Sequence, residues 1–269
     1  MSPTRSAPTT EQGAYHWTAG TGPLVAAALH HGHFVRPEIE QYLALSESER
    51  LREEDPFTGN WTDVGDTRIV GLRSRFEVDL NRPREQAVYL RPEDAWGLRV
   101  WREPPPPEVI DRSLAHHDAF YDQARREFET LRQRHGRFVV FDIHSYNHRR
   151  AGAGNPPDDP TKNPEVNLGT GSMDRPRWGR IVERVIDELR SFDFLGRHLD
   201  VRENVRFRGG YFPRWVHGNF PDSGCALAIE FKKFFMDEWT GDPDPQRICA
   251  IGAALRHTAA GVMNELSRR

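Results

Sequence analysis

No other stretch limits the possible folds as sharply as Phe138-Val139-Val140-Phe141-Asp142-Ile143-His144-Ser145-Tyr146. It is a run of β-branched and aromatic residues set between Arg137 and Asn147-His148-Arg149-Arg150. An apolar run with polar flanks predicts a buried strand, central in a sheet. The run delivers a histidine where the strand should end. In open α/β sheets chemistry collects at the carboxyl ends of strands. His144 is therefore placed to take a metal, with Asp142 or a backbone carbonyl fixing its tautomer. Taken alone, a strand-end histidine is more often an ordinary polar residue than a ligand.

Three further segments bear on it. Leu24 to Leu29 is a second short apolar run, followed at once by His30-His31-Gly32-His33. Gly32 lets the chain turn tightly there, and His30 with His33, or His31 with His33, can converge on one ion, since zinc takes imidazole readily. A solvated polar loop is the plainer alternative. Arg75 to Leu80 alternates like a strand that Pro83 ends. Asn81 and Arg82 would then stand at its exit, where a guanidinium fork beside an amide suits capture of a carboxylate. The alternative is an Arg bridged to a neighbouring acid. Finally, Ala226-Leu227-Ala228-Ile229-Glu230-Phe231 carries one acid inside an apolar strand. Such a carboxylate needs a partner or a raised pKa. Glu230 is either a general base or an acid paired with Lys232 or Lys233.

In this order the segments resemble zinc carboxypeptidases and aspartoacylase-like amidohydrolases, and more closely the N-formylglutamate amidohydrolase family. The shared motifs are His30-His31-Gly32 with Pro37, Ser74-Arg75 through Asp79-Leu80-Asn81-Arg82-Pro83, and Asp142-Ile143-His144-Ser145. Leu168-Gly169-Thr170, Phe207-Arg208-Gly209-Gly210-Tyr211 and Glu230 complete the set. The resemblance spans about residues 24 to 240. It implies an α/β three-layer sandwich with a central mixed sheet, like that of the zinc carboxypeptidases. It also implies hydrolysis of an N-acyl amino acid such as N-formylglutamate, with one zinc per chain.

The resemblance also implies roles. Glu230 would be the base and Arg75 would stabilise the oxyanion. Asn81 and Arg82 would hold the substrate's α-carboxylate and Arg208 a side-chain carboxylate, while Tyr146 closes over the substrate. One departure concerns the second metal ligand. Zinc carboxypeptidases place a Glu three residues after the first ligand, and counted from His30 that position is His33. The expected ligands are His30, His33 and His144, with Glu54 or Asp55 of Glu53-Glu54-Asp55-Pro56 as the acidic alternative. A carboxypeptidase-like peptidase and a ligand-binding relative without turnover are the rival readings.

Composition sets the outer limits. The 269 residues suffice for one large domain, and the interleaved motifs favour one catalytic unit over residues 23–269. A net charge of −3 implies no general attraction to nucleic acid. The partner expected is a small N-acyl amino acid or short peptide. Cys225 and Cys249 are the only cysteines, which fits a reducing cytoplasm. Met1 to Gly22 has no apolar core of a signal peptide and reads as a flexible arm. No apolar run approaches the roughly 20 residues that span a bilayer, so a soluble chain is expected. Glu103 to Glu108 reads as a polyproline connector. A helix is predicted from near Pro107 through Leu131, with His116 and His117 on its exposed face. Further helices are predicted over 178–192 and 246–266, and Ala151 to Pro164 must be a loop, either at the rim of a site or a plain surface excursion.

Overall fold

The computed structural model describes residues 13–268. Within them one mixed sheet holds β1 (Tyr15–Thr18), β2 (Leu24–Ala28), β3 (Thr67–Gly71), β4 (Phe138–Tyr146), β5 (Val166–Gly169), β6 (Val201–Glu203) and β7 (Gly224–Lys232), in the order β1-β3-β2-β4-β7-β5-β6. Strands β3, β2, β4 and β7 run parallel. Strand β1 joins β3 antiparallel, and β5 joins β7 antiparallel with β6 parallel beyond it. Every residue of β2 and β4 is buried, as continuous apolar runs require when helices cover both faces of a parallel sheet.

The helices are α1 (Pro37–Glu40), α2 (Glu47–Glu53), α3 (Pro107–His135), α4 (Arg175–Ser191), α5 (Tyr211–Asn219) and α6 (Pro245–Leu266). Strand periodicity divides the core between the two faces of the sheet. Val25, Ala27, Val140 and Ala226 turn to one face and meet Phe120, Phe128, Phe212 and Val216 of α3 and α5. Ala26, Phe141, Ile143, Leu227 and Ile229 turn to the other and meet Val182, Val185, Leu255 and Val262 of α4 and α6. The result is the α/β three-layer sandwich. Helices α4 and α6 begin alike: an Asp (174 or 244) accepts from a backbone N–H three residues on, with Pro in the first turn. No helix among the described residues is long and apolar enough to cross a membrane.

Some sequence expectations need correction. Residues 1–12 of the expected arm lie outside the described residues, but Tyr15–Thr18 is an edge strand whose Tyr15 and Trp17 rings sit on Phe120 of α3. Arg75–Leu80 is a series of turns, not a strand. Its alternation misleads because the polar members Glu77 and Asp79 are as buried as the apolar ones. Glu77 accepts from Arg36 N–H and Nε, while Asp79 accepts from the N–H of Asn81. His117 is buried rather than exposed, with Nε2 2.9 Å from the Arg82 carbonyl.

Candidate active site

Two parallel strands and one helix deliver three side chains to one point. His30 follows the end of β2, His144 lies near the end of β4, and Asp55 lies just past the C-terminus of α2. Asp55 Oδ2 is 2.9 Å from His144 Nδ1 and 3.5 Å from His30 Nδ1. One ligand atom from each residue lies within 4.8 Å of the others, and all three residues are buried. Two imidazoles and a carboxylate are a donor set that suits a zinc-like divalent ion.

The far nitrogens of both rings meet carboxylates. His30 Nε2 is 2.7 Å from Asp79 Oδ1, and His144 Nε2 is 3.0 Å from Asp142 Oδ1. Asp79 favours the His30 tautomer that leaves Nδ1 free for an ion, the arrangement seen around metal-bound histidine. Burial opposes charge on His144, yet Asp142, Asp55 and Glu230 hold its pKa well above the usual value. Burial also opposes ionisation of Asp55, and the two histidines overcome it and hold its pKa well below the usual range. The centre thus favours a cation between its carboxylates, and the residues fit a metal.

At the second position the structure departs from His33 and places the acidic alternative Asp55 beside the two histidines. His33 Nδ1 pairs with Glu54 Oε2, and Ser74 Oγ donates to Glu54 Oε1. His33 and Glu54 therefore satisfy each other outside the group, and Asp55, the other acidic alternative, is the candidate ligand beside His30 and His144. His31 turns elsewhere too, its ring lying against Gly59. Gly32 explains the divergence. A Cβ there would stand 2.2 Å from the Leu72 carbonyl carbon. The chain therefore hugs the end of β3 and carries His33 off toward α2.

Glu230 pairs in register with His144 across the β4–β7 ladder. Glu230 is half-buried, lines the cleft, and its carboxylate has no hydrogen-bond partner among the described residues. Neither neighbouring lysine pairs with it. Lys232 Nζ donates to the Asn163 carbonyl at 3.1 Å, and Lys233 Nζ donates to the Arg52 and Glu54 carbonyls at 2.5 and 2.7 Å. Burial pushes the Glu230 pKa up to about 8; His144 opposes this while Asp55 and Asp142 reinforce it. A carboxylate so raised can hold and release a proton near neutral pH.

The cleft above these residues measures about 290 Å³ and includes Arg75, Asn81, Arg82, Tyr146 and Arg208 in its walls. Arg75 is bound to Asp79 at 2.9 Å and lies 4.8 Å over the Trp96 ring. Burial opposes its charge, but Tyr89, Asp79 and Asp55 more than compensate, so it stays cationic. Asn81 does two jobs. Its Oδ1 accepts from the Phe212 N–H in the first turn of α5, and its Nδ2 lies 3.3 Å from His144 Nε2. Gly210 must lack a side chain for this, because a Cβ there would sit 2.3 Å from Asn81 Nδ2. Arg82 reaches only the Asp94 carbonyl, at 3.4 Å, and the Tyr89 ring at 5.6 Å. Neither Arg82 nor Arg208 has a carboxylate within ion-pair range among the described residues. Tyr146 is a fixed wall rather than a moving cover, since its hydroxyl donates to the Pro164 carbonyl and its ring meets Phe207 edge-on at 5.4 Å. Sequence reasoning gave no site role to Asp79, Trp96 or Lys233. Asp79 stood inside a quoted motif, whereas Trp96 and Lys233 carry no local signal.

Comparison with known proteins converges on one group. A family model described as N-formylglutamate amidohydrolase matches residues 22–236. Among solved structures, N-formylglutamate amidohydrolase from Ralstonia eutropha JMP134 superposes with a TM-score of 0.73 at 16% identity, covering 96% of this chain and 99% of that one. A gene product of Agrobacterium tumefaciens superposes with a TM-score of 0.66 at 16% identity, covering 96% and 97%. No curated protein matches the sequence. The structural likeness supports the fold, and the matched segment reaches from just before β2 to just past β7, so it takes in all three candidate ligands and Glu230. This chain belongs to the N-formylglutamate amidohydrolase family.

Proposed function

We propose that the protein is a zinc-dependent hydrolase that cleaves the amide bond of an N-acyl amino acid, N-formylglutamate being the expected substrate. The observation that carries this reading is the buried His30–Asp55–His144 group beside the unpaired carboxylate of Glu230. A divalent ion held by the three ligands would polarise a carbonyl and acidify water. Glu230 accepts the proton of the attacking water and returns it to the leaving nitrogen. Arg75, fixed as a cation by Asp79, faces the charge that develops on the carbonyl oxygen. Arg82 and Arg208, free of carboxylate partners, bind the substrate's carboxylates and so fix the amide's position. A cleft of about 290 Å³ suits a small molecule. The balance is simple: water adds across the C–N bond, giving formate and glutamate.

The test is formate release from N-formylglutamate by zinc-loaded protein, with short peptides assayed alongside. Formate release abolished by a chelator and restored by zinc supports the reading. Cleavage of peptides without action on N-formylglutamate would replace it with a peptidase.

A further inference from the structure

Lys233 is 1% exposed, yet it lies just beyond β7 at the edge of the cleft. A buried ammonium is costly unless its protons find acceptors. Its backbone N–H donates to the Tyr146 carbonyl at 3.0 Å, continuing the β4–β7 ladder by one step. Its Nζ donates to the carbonyls of Arg52 and Glu54 at 2.5 and 2.7 Å. These carbonyls belong to the C-terminal end of α2, where the partial negative charge of the helix favours a cation.

The Glu54 carbonyl and the Asp55 N–H are the two ends of one planar peptide unit. Lys233 holds the carbonyl end. The other end donates to the His30 carbonyl at 2.9 Å. The plane that leads into Asp55 is thus pinned on one side by the lysine after β7 and on the other by a residue of the ligand group. Beyond that plane the Asp55 carboxylate receives Ser145 Oγ at 3.1 Å and faces His144 at 2.9 Å.

Resting on the metal reading above, we propose that Lys233 is a positioning residue for Asp55: it orients the Glu54–Asp55 peptide so that the carboxylate completes the metal site. Its Nζ is taken up by the Arg52 and Glu54 carbonyls. Its loss lets that peptide rotate, and a ligand aimed a little wrongly binds more weakly. Groups behind metal ligands commonly account for roughly 10- to 100-fold in affinity.

The experiment measures zinc affinity by chelator competition, together with the thermal midpoint of the metal-free protein. The proteins compared are wild type, Lys233→Met and Trp239→Leu. Trp239 is the control because its ring lies 3.8 Å from the Arg52 guanidinium of α2, while its hydrogen bonds go to Asp237 and the Arg149 carbonyl and not to the Glu54–Asp55 peptide. Lys233→Met is expected to weaken zinc binding roughly 10- to 100-fold, and Trp239→Leu to lower the midpoint while leaving zinc affinity as it was. Wild-type zinc affinity in Lys233→Met overturns the proposal. So does a loss of affinity in Trp239→Leu that matches Lys233→Met at the same loss of midpoint. If Lys233→Met does not fold, Lys233→Arg decides. It keeps the charge but has a longer, planar head, so weakened zinc binding supports the proposal and unchanged binding overturns it. A wild-type chain that takes up no zinc refutes the metal reading as well, whereas failure in the variants alone refutes only the role of Lys233.

Discussion

Glu230 stands directly across the β4–β7 ladder from His144. A proposed base and a proposed metal ligand thus occupy facing positions on adjacent parallel strands, and the pairing of those strands fixes their separation. Backbone pairing rather than a loop therefore sets how these two residues stand to each other. The choice of ligands beside that pair, the substrate clamp and the buried polar groups behind them are each open to test.

The ligand set separates two residues that a linear reading cannot. Asp55→Ala should lower zinc content to well below one per chain, because it removes one of three protein ligands. His33→Ala should keep zinc bound, since His33 pairs with Glu54 outside the group. Elemental analysis of both variants checks this, and the opposite pattern would return the second ligand to His33.

Arg82→Lys should raise KM for N-formylglutamate, because a rounded ammonium does not reproduce a two-pronged contact with a carboxylate. The change should be much smaller for a substrate amide that lacks the carboxylate. Steady-state kinetics on the two substrates measures the difference, and equal losses would assign Arg82 to structure.

His217 gives a pH prediction away from the site. Its Nε2 accepts from the Ala226 N–H at 3.0 Å, so the ring is neutral there, with Nδ1 2.9 Å from Ser172 Oγ. Burial lowers its pKa from 6.5 to about 4. The unfolded chain binds this proton more readily than the folded one. The contribution is therefore complete above pH 6.5 and is lost as pH falls toward 4, by on the order of 3 kcal/mol. His217→Gln should remove that part of the slope. Urea unfolding at pH 7 and pH 4.5 compares the two proteins; equal slopes would contradict it.

Much of this was legible in the sequence wherever a strand is covered on both faces. The apolar runs ending at Leu29, at Ile143 and around Glu230 are continuous because helices bury both sides, and each brought its functional residue with it. The turn at Arg75–Leu80 was not legible, because Glu77 and Asp79 are polar side chains that serve the protein's interior instead of facing water. The second ligand was legible only as a choice among His33, Glu54 and Asp55. Spacing along a loop does not say where side chains aim; the close approach of Gly32 to Leu72 does, and that contact joins β2 and β3 through space. Lys233 was legible only as a rival partner for Glu230, since the carbonyls it serves lie about 180 residues earlier in the chain.

The most direct test of the account is Glu230→Gln, with zinc content and formate release measured on the same preparation. The substitution keeps size and polarity but removes the proton acceptor. Zinc should remain at one per chain, with the thermal midpoint nearly unchanged, while turnover of N-formylglutamate falls by roughly 10²-fold or more. Near-normal turnover, or loss of zinc along with activity, would contradict the assignment of Glu230 as the base.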